Sequence, residues 1–417
     1  KNRIADQLLR DKLEAMGAVL IEGPKACGKT TTAEQQAKSV IYMDDPTKQQ
    51  QYRQMAQTNI SFLLEGETPR LIDEWQEVPQ FWDAIRFEVD HRDEDGQFML
   101  TGSAVPVEAK EIHHTGTGRY GWLTMLPMSL WESQESTGEV SLKELFNNPD
   151  YDIDGKMSKM TVEELIFAAS RGGWPASLLA RTPKAQLLVA KNYVQTICSN
   201  DISSIDGKKR DARLTSMILR AYARNVSTLV KKKSLLDDVT SSGEVSCHVD
   251  TFDDYVAALE KLFVIQNISA WCPAIRSKTA IRSGVKRCFC DPSIPIALLG
   301  LSPEALSMQL KTFGFIFEQM CIRDLKAYTI DLNSHVSYYH DRYDLEADIV
   351  LHLEDGRYAL IECKLGSREI DDGAKHLLEL KRLIQEHNTT EKQMPIREPD
   401  LLIVMTGGSM AYTRQDG

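Results

Sequence analysis

Gly23-Pro24-Lys25-Ala26-Cys27-Gly28-Lys29-Thr30 follows the apolar run Ala18–Ile21 and precedes a helical stretch. The octapeptide has the spacing GxxxxGK[ST]. A strand before it and a helix after it are the context in which that spacing cradles phosphate. Glycine lets consecutive backbone N–H groups converge on phosphate oxygens with no Cβ in the way. Lys29 offsets β/γ-phosphate charge, and the Thr30 hydroxyl is a ligand for Mg²⁺. The following helix adds its positive N-terminus. The predicted contacts to ATP are Gly23, Pro24, Lys25, Ala26, Cys27, Gly28, Lys29, Thr30 and Thr31.

Around this loop the first 130 or so residues alternate strand and helix. Strand candidates are Ala18–Ile21, Val40–Met43, Arg70–Asp73, Phe98–Thr101 and Tyr120–Leu126. That alternation predicts an α/β sheet with helices on its faces. Arg70-Leu71-Ile72-Asp73-Glu74 reads as a buried strand delivering two acids to its carboxyl end. Asp73 is predicted to hold Mg²⁺ through water, and Glu74 to polarise the attacking water as general base. Leu100-Thr101-Gly102-Ser103 ends another strand in small polar groups, where a hydroxyl can sense phosphate. Gly118-Arg119-Tyr120 offers Arg119 either as an arginine finger for a neighbouring subunit or as a plain salt bridge.

From about Ser141 to Val239 helical spacing takes over, as in the stripe Leu214, Met217, Ile218 and Ala221. A helix–helix–hairpin pattern follows, with a helix near Thr251–Leu262 and strand candidates Val264–Ala270 and Val285–Cys290. The chain is acidic, at net charge −11 over 417 residues. That balance excludes a uniformly basic nucleic-acid coat. Yet nine basic residues lie between Gly207 and Lys233, with Asp211 the single acid. Arg276, Lys278, Arg282, Lys286 and Arg287 form a second stretch. DNA contact is expected through Lys231, Lys232, Lys233, Arg276, Lys278 and Arg282, with salt-sensitive affinity. Asp250, Asp253, Asp254 and Glu260 make the Thr251–Leu262 helix itself acidic, which suits a groove poorly.

The last segment reads α-β-β-β-α-β. Asp348 lies on one strand candidate, and Glu362 and Lys364 on the next, joined by the turn signal Glu354-Asp355-Gly356-Arg357. Alternation puts residues 362 and 364 on one strand face. The expected arrangement is the D…ExK set of PD-(D/E)XK nucleases: Asp348 and Glu362 on Mg²⁺, Lys364 activating water, and Glu318 as a further carboxylate. A cross-strand salt bridge, or a nuclease-like fold used for binding or interdomain contact, fits the same residues.

With its acidic pair and its Leu126-Pro127-Met128-Ser129, Gly172-Gly173-Trp174-Pro175 and Asn200-Asp201-Ile202 segments, the chain resembles prokaryotic AAA+ ATPases fused to a C-terminal domain of unknown function. The likeness continues through Phe289-Cys290-Asp291-Pro292, Gly314-Phe315-Ile316-Phe317-Glu318 and Glu362-Cys363-Lys364. It implies relatedness to replication-initiator-type ATPases, a winged helix after the ATPase, and an end similar to restriction-endonuclease folds. The expected units are a P-loop AAA+-like ATPase domain (1–135), a helical lid (136–225), a winged helix (226–292) and a nuclease-like α/β domain (293–417).

The function expected is Mg²⁺-dependent ATP binding and hydrolysis coupled to nucleic-acid binding, extending to metal-dependent DNA cleavage. The alternative is an ATP-driven switch whose nuclease-like domain does not cleave. Apolar runs are strand-sized and no secretory pattern is present, so a cytoplasmic location with free thiols is expected. Monomer and homo-oligomer both stay open.

Overall fold

A computed structural model describes residues 2–92, 94–102, 117–241, 243, 245–271, 284–390 and 395–416. The first unit is a five-stranded parallel sheet in the order β2-β3-β4-β1-β5. Its strands are β1 (Ala18–Glu22), β2 (Ser39–Tyr42), β3 (Arg70–Asp73), β4 (Phe98–Thr101) and β5 (Tyr120–Thr124). They are nearly continuous apolar runs because both faces of a parallel sheet are covered. Side-chain alternation divides β1: Val19 and Ile21 pack with Leu9 and Leu13 of the Ala5–Ala15 helix. Ala18 and Leu20 face Phe81, Trp82 and Ile85 of the Phe81–Arg92 helix. β1 lies between β4 and β5, so the chain leaves it in one direction and returns on the other. The crevice at the carboxyl ends of strands at such a reversal is where open α/β sheets bind ligands.

Helices dominate from Val162 to Lys261. Thr161 and Glu164 form a reciprocal cap at the start of Val162–Arg171. Thr182 caps Pro183–Thr196, which runs into one π-helical turn, Ile197–Asp201. Ala212–Arg224 buries Leu214, Ile218 and Ala221, the stripe expected of it. Lys232–Thr240 and Val249–Lys261 follow, then the short antiparallel ribbon β6 (Ile268–Ser269) and β7 (Val285–Lys286). The two strands anticipated here are thus much shorter than the apolar runs that suggested them. Arg276, Lys278 and Arg282, like Ser103, lie outside the described residues.

The C-terminal elements come in the order anticipated: helix Leu310–Tyr328, β8 (His335–His340), β9 (Glu346–His352), β10 (Tyr358–Lys364), helix Ile370–Thr390 and β11 (Leu401–Thr406). The sheet order is β11-β10-β9-β8, with only the β10–β11 pair parallel. Ile349, Leu351, Ala359 and Ile361 join the core containing Ile316 and Met320 of the first helix. Val350 and Leu360 face Leu377, Leu380 and Ile384 of the second. That first core also runs through the middle helices, from Leu165 to Leu259, so the expected boundaries at 225/226 and 292/293 cross continuous packing.

Four distant segments meet at one buried ion pair. Arg323 donates to Asp291 (3.0 Å) and to Asp324 (2.8 Å). Asp291 also accepts from the Gly173 N–H, and Asp324 from the Leu130 N–H. All three charged side chains are buried. Asp291→Ala leaves a buried guanidinium short of a partner, which costs about 3–5 kcal/mol. Urea unfolding should show that loss, and an unchanged midpoint would refute the importance given to this pair.

Candidate nucleotide site and C-terminal carboxylate pocket

The glycine-lysine loop bridges β1 and the Lys29–Glu34 helix at the carboxyl edge of the sheet. Gly23 has φ +143°, and a Cβ there would sit 2.2 Å from the Met125 carbonyl oxygen. Gly28 enters the helix at φ +104°. Only glycine takes both positions without strain. The helix has six residues, too short for a large macrodipole, so the loop's own N–H groups carry most of the anion attraction. Lys29 is buried, and its Nζ donates to the carbonyls of Gly23 and Pro24, 2.9 Å each. Phosphate oxygens are stronger acceptors for that ammonium than neutral carbonyls.

Parallel pairing sets Asp73 beside Thr101 at the ends of β3 and β4. Asp73 Oδ1 accepts from the hydroxyls of Thr30 (2.7 Å) and Thr101 (2.5 Å). Thr30 and Asp73 therefore sit together at the loop, the donor set that fits Mg²⁺ beside phosphate. The hydroxyl at the end of β4 thus shares the Asp73 oxygen with the loop residue Thr30. Glu74 follows with φ +53°, a left-handed conformation that is costly for glutamate and typical of functional positions. It accepts from the Gln76 amide. Burial raises its pKa, against the pull of Gln76 and Lys29.

Two contacts tie the loop to the rest of the chain. Lys25 pairs with Asp201 at 2.7 Å, and Asp201 stands on the π-helical turn, a feature frequent at functional sites. Arg3 donates to Cys27 O (2.8 Å), Leu126 O (2.7 Å) and Glu132 (2.9 Å). Nothing in the pattern around Arg3 marks it, whereas the Asn200-Asp201 step stands out in the sequence without indicating a role. Arg119 takes the plainer of its two expected roles. It lies at the amino edge of the sheet, opposite the loop, and pairs with Asp90 at 2.8 Å.

In the C-terminal sheet, Asp348, Glu362 and Lys364 converge as expected. Lys364 Nζ is 2.5 Å from Glu362 Oε2 and 3.9 Å from Asp348 Oδ2. Asp348 Oδ2 accepts from the Cys363 N–H. Glu318 joins them, but held by Lys286 of β7, a residue counted in the sequence only as part of a basic stretch. Burial pushes Glu362 up to about 8, with Asp348 adding to it and Lys364 opposing. Burial likewise pushes Glu318 to about 8, against the attraction of Lys286. Burial works against charge on Lys286, yet Glu318 and Asp348 outweigh it and raise its pKa. Lys364 thus pairs with Glu362, while the Asp348 carboxylate lies 3.7 Å from Lys286 and 3.9 Å from Lys364. Among the described residues no cluster of three His, Cys, Asp or Glu is arranged to hold a metal ion.

Part of the basic middle is also paired. Lys208 and Arg210 bind Asp254, Lys232 binds Asp253, and Arg224 binds Asp238. The acids that made the Val249–Lys261 helix unsuited to a groove thus neutralise neighbouring cations. Lys231 and Lys233 remain exposed. The cysteines among the described residues are free thiols. No described helix is long and apolar enough to cross a membrane.

Residues 16–134 match the family model of the AAA domain. Residues 162–305 and 313–417 match two domains of unknown function, DUF8612 and DUF4143. Uncharacterised proteins of Mycobacterium tuberculosis and Mycobacterium bovis are each 22% identical over 372 residues, covering 86% of this chain and 73% of theirs. Among solved structures, a Walker-type ATPase of Pyrococcus abyssi is 13% identical, with TM-score 0.42, over 70% of this chain and 94% of its own. The ORC2 protein of Aeropyrum pernix is 13% identical, with TM-score 0.31, over 74% and 94%. The N-terminal unit is an AAA-like P-loop domain of the ATPase kind.

Were Glu74 the base expected from the sequence, it would have to be deprotonated to act, and its raised pKa would shift the acid-side loss of hydrolysis upward. Turnover at saturating ATP should begin to fall at a higher pH than an ordinary glutamate, near 4.3, would give. A kcat–pH profile with an acid limb at or below that value would contradict the shift.

Proposed function

We propose that this protein is a nucleotide-driven switch that binds and hydrolyses ATP with Mg²⁺ at the Lys29–Thr30 loop. The observation that carries the reading is the Thr30 hydroxyl bonded to the Asp73 carboxylate at the carboxyl edge of the sheet, with Glu74 next in the chain. Thr30 and Asp73 would hold Mg²⁺, which offsets phosphate charge when bound. Lys29 leaves the loop carbonyls for phosphate oxygens. Glu74, adjacent to Asp73 and raised in basicity by burial, takes the proton of the attacking water. Lys29→Ala should abolish nucleotide binding. Glu74→Gln should still bind ATP but turn over about 10²–10⁴-fold more slowly. Normal turnover by Glu74→Gln would move the base elsewhere.

The nucleotide state reaches the helical segment through Lys25. Bound phosphate competes with Asp201 for this ammonium, so loading the loop loosens its hold on the π-helical turn. Asp201→Asn removes the competitor. Titration of a fluorescent nucleotide should then show roughly two- to fivefold tighter binding, the scale of a partly exposed ion pair. An unchanged Kd would mean that Lys25 does not report on phosphate.

A second reading, a nucleic-acid enzyme, draws on the exposed Lys231 and Lys233 and on the D…ExK residues. The pairing of Lys208, Arg210, Arg224 and Lys232 with acids weakens it. DNA binding that falls steeply with salt, and cleavage abolished by Lys364→Ala, would restore it.

A further inference from the structure

A cleft of about 850 Å³ is lined by β5, the Val249–Lys261 helix and the start of β8, where the AAA-like sheet, the middle helices and the C-terminal sheet come together. That volume lies in the range of small-molecule sites. No residue from 23 to 31 lines it, nor does Asp73 or Glu74, so it is separate from the nucleotide loop.

The charged lining is Lys12, Lys232, Arg287 and Lys326 against Asp253 and Glu260. Both acids are engaged within the chain. Lys232 binds Asp253 at 2.9 Å, and Glu260 accepts from the Asn267 amide at 3.0 Å. Arg287 donates to neutral groups, the Tyr222 hydroxyl at 3.2 Å and the Val230 carbonyl at 3.3 Å. Lys326, near the end of the Leu310–Tyr328 helix, is half-buried. Among the described residues its Nζ has one hydrogen bond, a long one of 3.4 Å to Gln266 Oε1, and no carboxylate partner. An ammonium carries three donors and no acceptor, so this one has donors to spare. Burial pushes its pKa down, and no carboxylate offsets that. A charge withdrawn from water is costly unless it is paired. An anion in the cleft would supply the missing acceptors. Gln266 also lines the cleft, and with its oxygen turned to Lys326 its amide nitrogen is left to donate. Leu8, Val256, Phe263 and Ile330 add half-buried apolar surface to the same lining.

We propose that this cleft binds a small organic anion, a phosphate or carboxylate group on an apolar body, with the Lys326 ammonium and the Gln266 amide as its anchor. The assignment goes beyond the ATP reading and stands whether or not the loop hydrolyses nucleotide.

The test is calorimetric titration of phenyl phosphate and, separately, benzoate into the full chain carrying K29A, which takes the phosphate loop out of play. At least one probe should bind, and the tighter of the two identifies the head group. Adding K326M should weaken that binding about tenfold to a hundredfold, the scale of hydrogen bonds to a charged group. Residual binding at the loop would be common to both proteins, so the difference reads Lys326 alone. Equal affinity with and without K326M would overturn the proposal, as would no binding of either probe up to tens of millimolar. A second measurement needs no change at Lys326. Acetylation of its amine by acetic anhydride, followed by mass spectrometry of the K29A chain, should slow several-fold when the probe is bound. A bound probe that leaves the Lys326 rate unchanged would refute the anchor, and this readout decides should K326M fail to fold.

Discussion

A guanidinium removed from water must find its partners inside the protein, and Arg323 finds them in two carboxylates that also bind backbone N–H groups elsewhere. Desolvating three charges is costly, and the arrangement repays that cost only when every donor and acceptor is met. Its geometry therefore requires four segments to be in place together: the turn after β5, the Gly172–Trp174 step, the Asp291–Ser293 turn and the Leu310–Tyr328 helix. Gly173 shows how close the approach is, since a Cβ there would lie 2.1 Å from the Met128 carbonyl oxygen. The AAA-like sheet, the helical middle and the C-terminal sheet are joined at this point.

The nucleotide loop sits close to that junction. Arg3 braces its outer carbonyl and the Leu126 carbonyl together, and Lys25 links it to Asp201. The loop's phosphate-facing groups are thus few, and several of its remaining groups are structural. In the switch proposed above, that division would let phosphate occupancy reach the π-helical turn through Lys25 and Asp201.

The net charge of −11 averages over unlike neighbourhoods. Cations crowded along the chain between Gly207 and Lys233 are separated in space by acids from other helices. Asp253 and Asp254 on Val249–Lys261 neutralise three of them. Lys286, grouped by sequence with the second basic stretch, is turned inward onto carboxylates more than thirty residues away. A linear charge count cannot distinguish a solvated basic face from cations consumed by pairing, because pairing partners are chosen by folding.

The short-range pattern by itself determined a good deal. The five β strands of the first sheet, the loop after β1, the Asp73–Glu74 step and the α-β-β-β-α-β order of the end were all legible. Each rests on periodicity or on a glycine spacing that few backbones tolerate, and these are local properties. Convergence of Asp348, Glu362 and Lys364 was legible too, since one turn and strand alternation suffice to bring them together. Tertiary structure alone decided what those residues face. It put Lys286 among the carboxylates, Arg119 at the edge opposite the loop, and Arg3 and Asp201 beside it. It also merged the middle helices and the C-terminal sheet into one core. The reason is that a side chain's charge partner and burial depend on elements distant in sequence, and no local periodicity encodes where those elements come to rest.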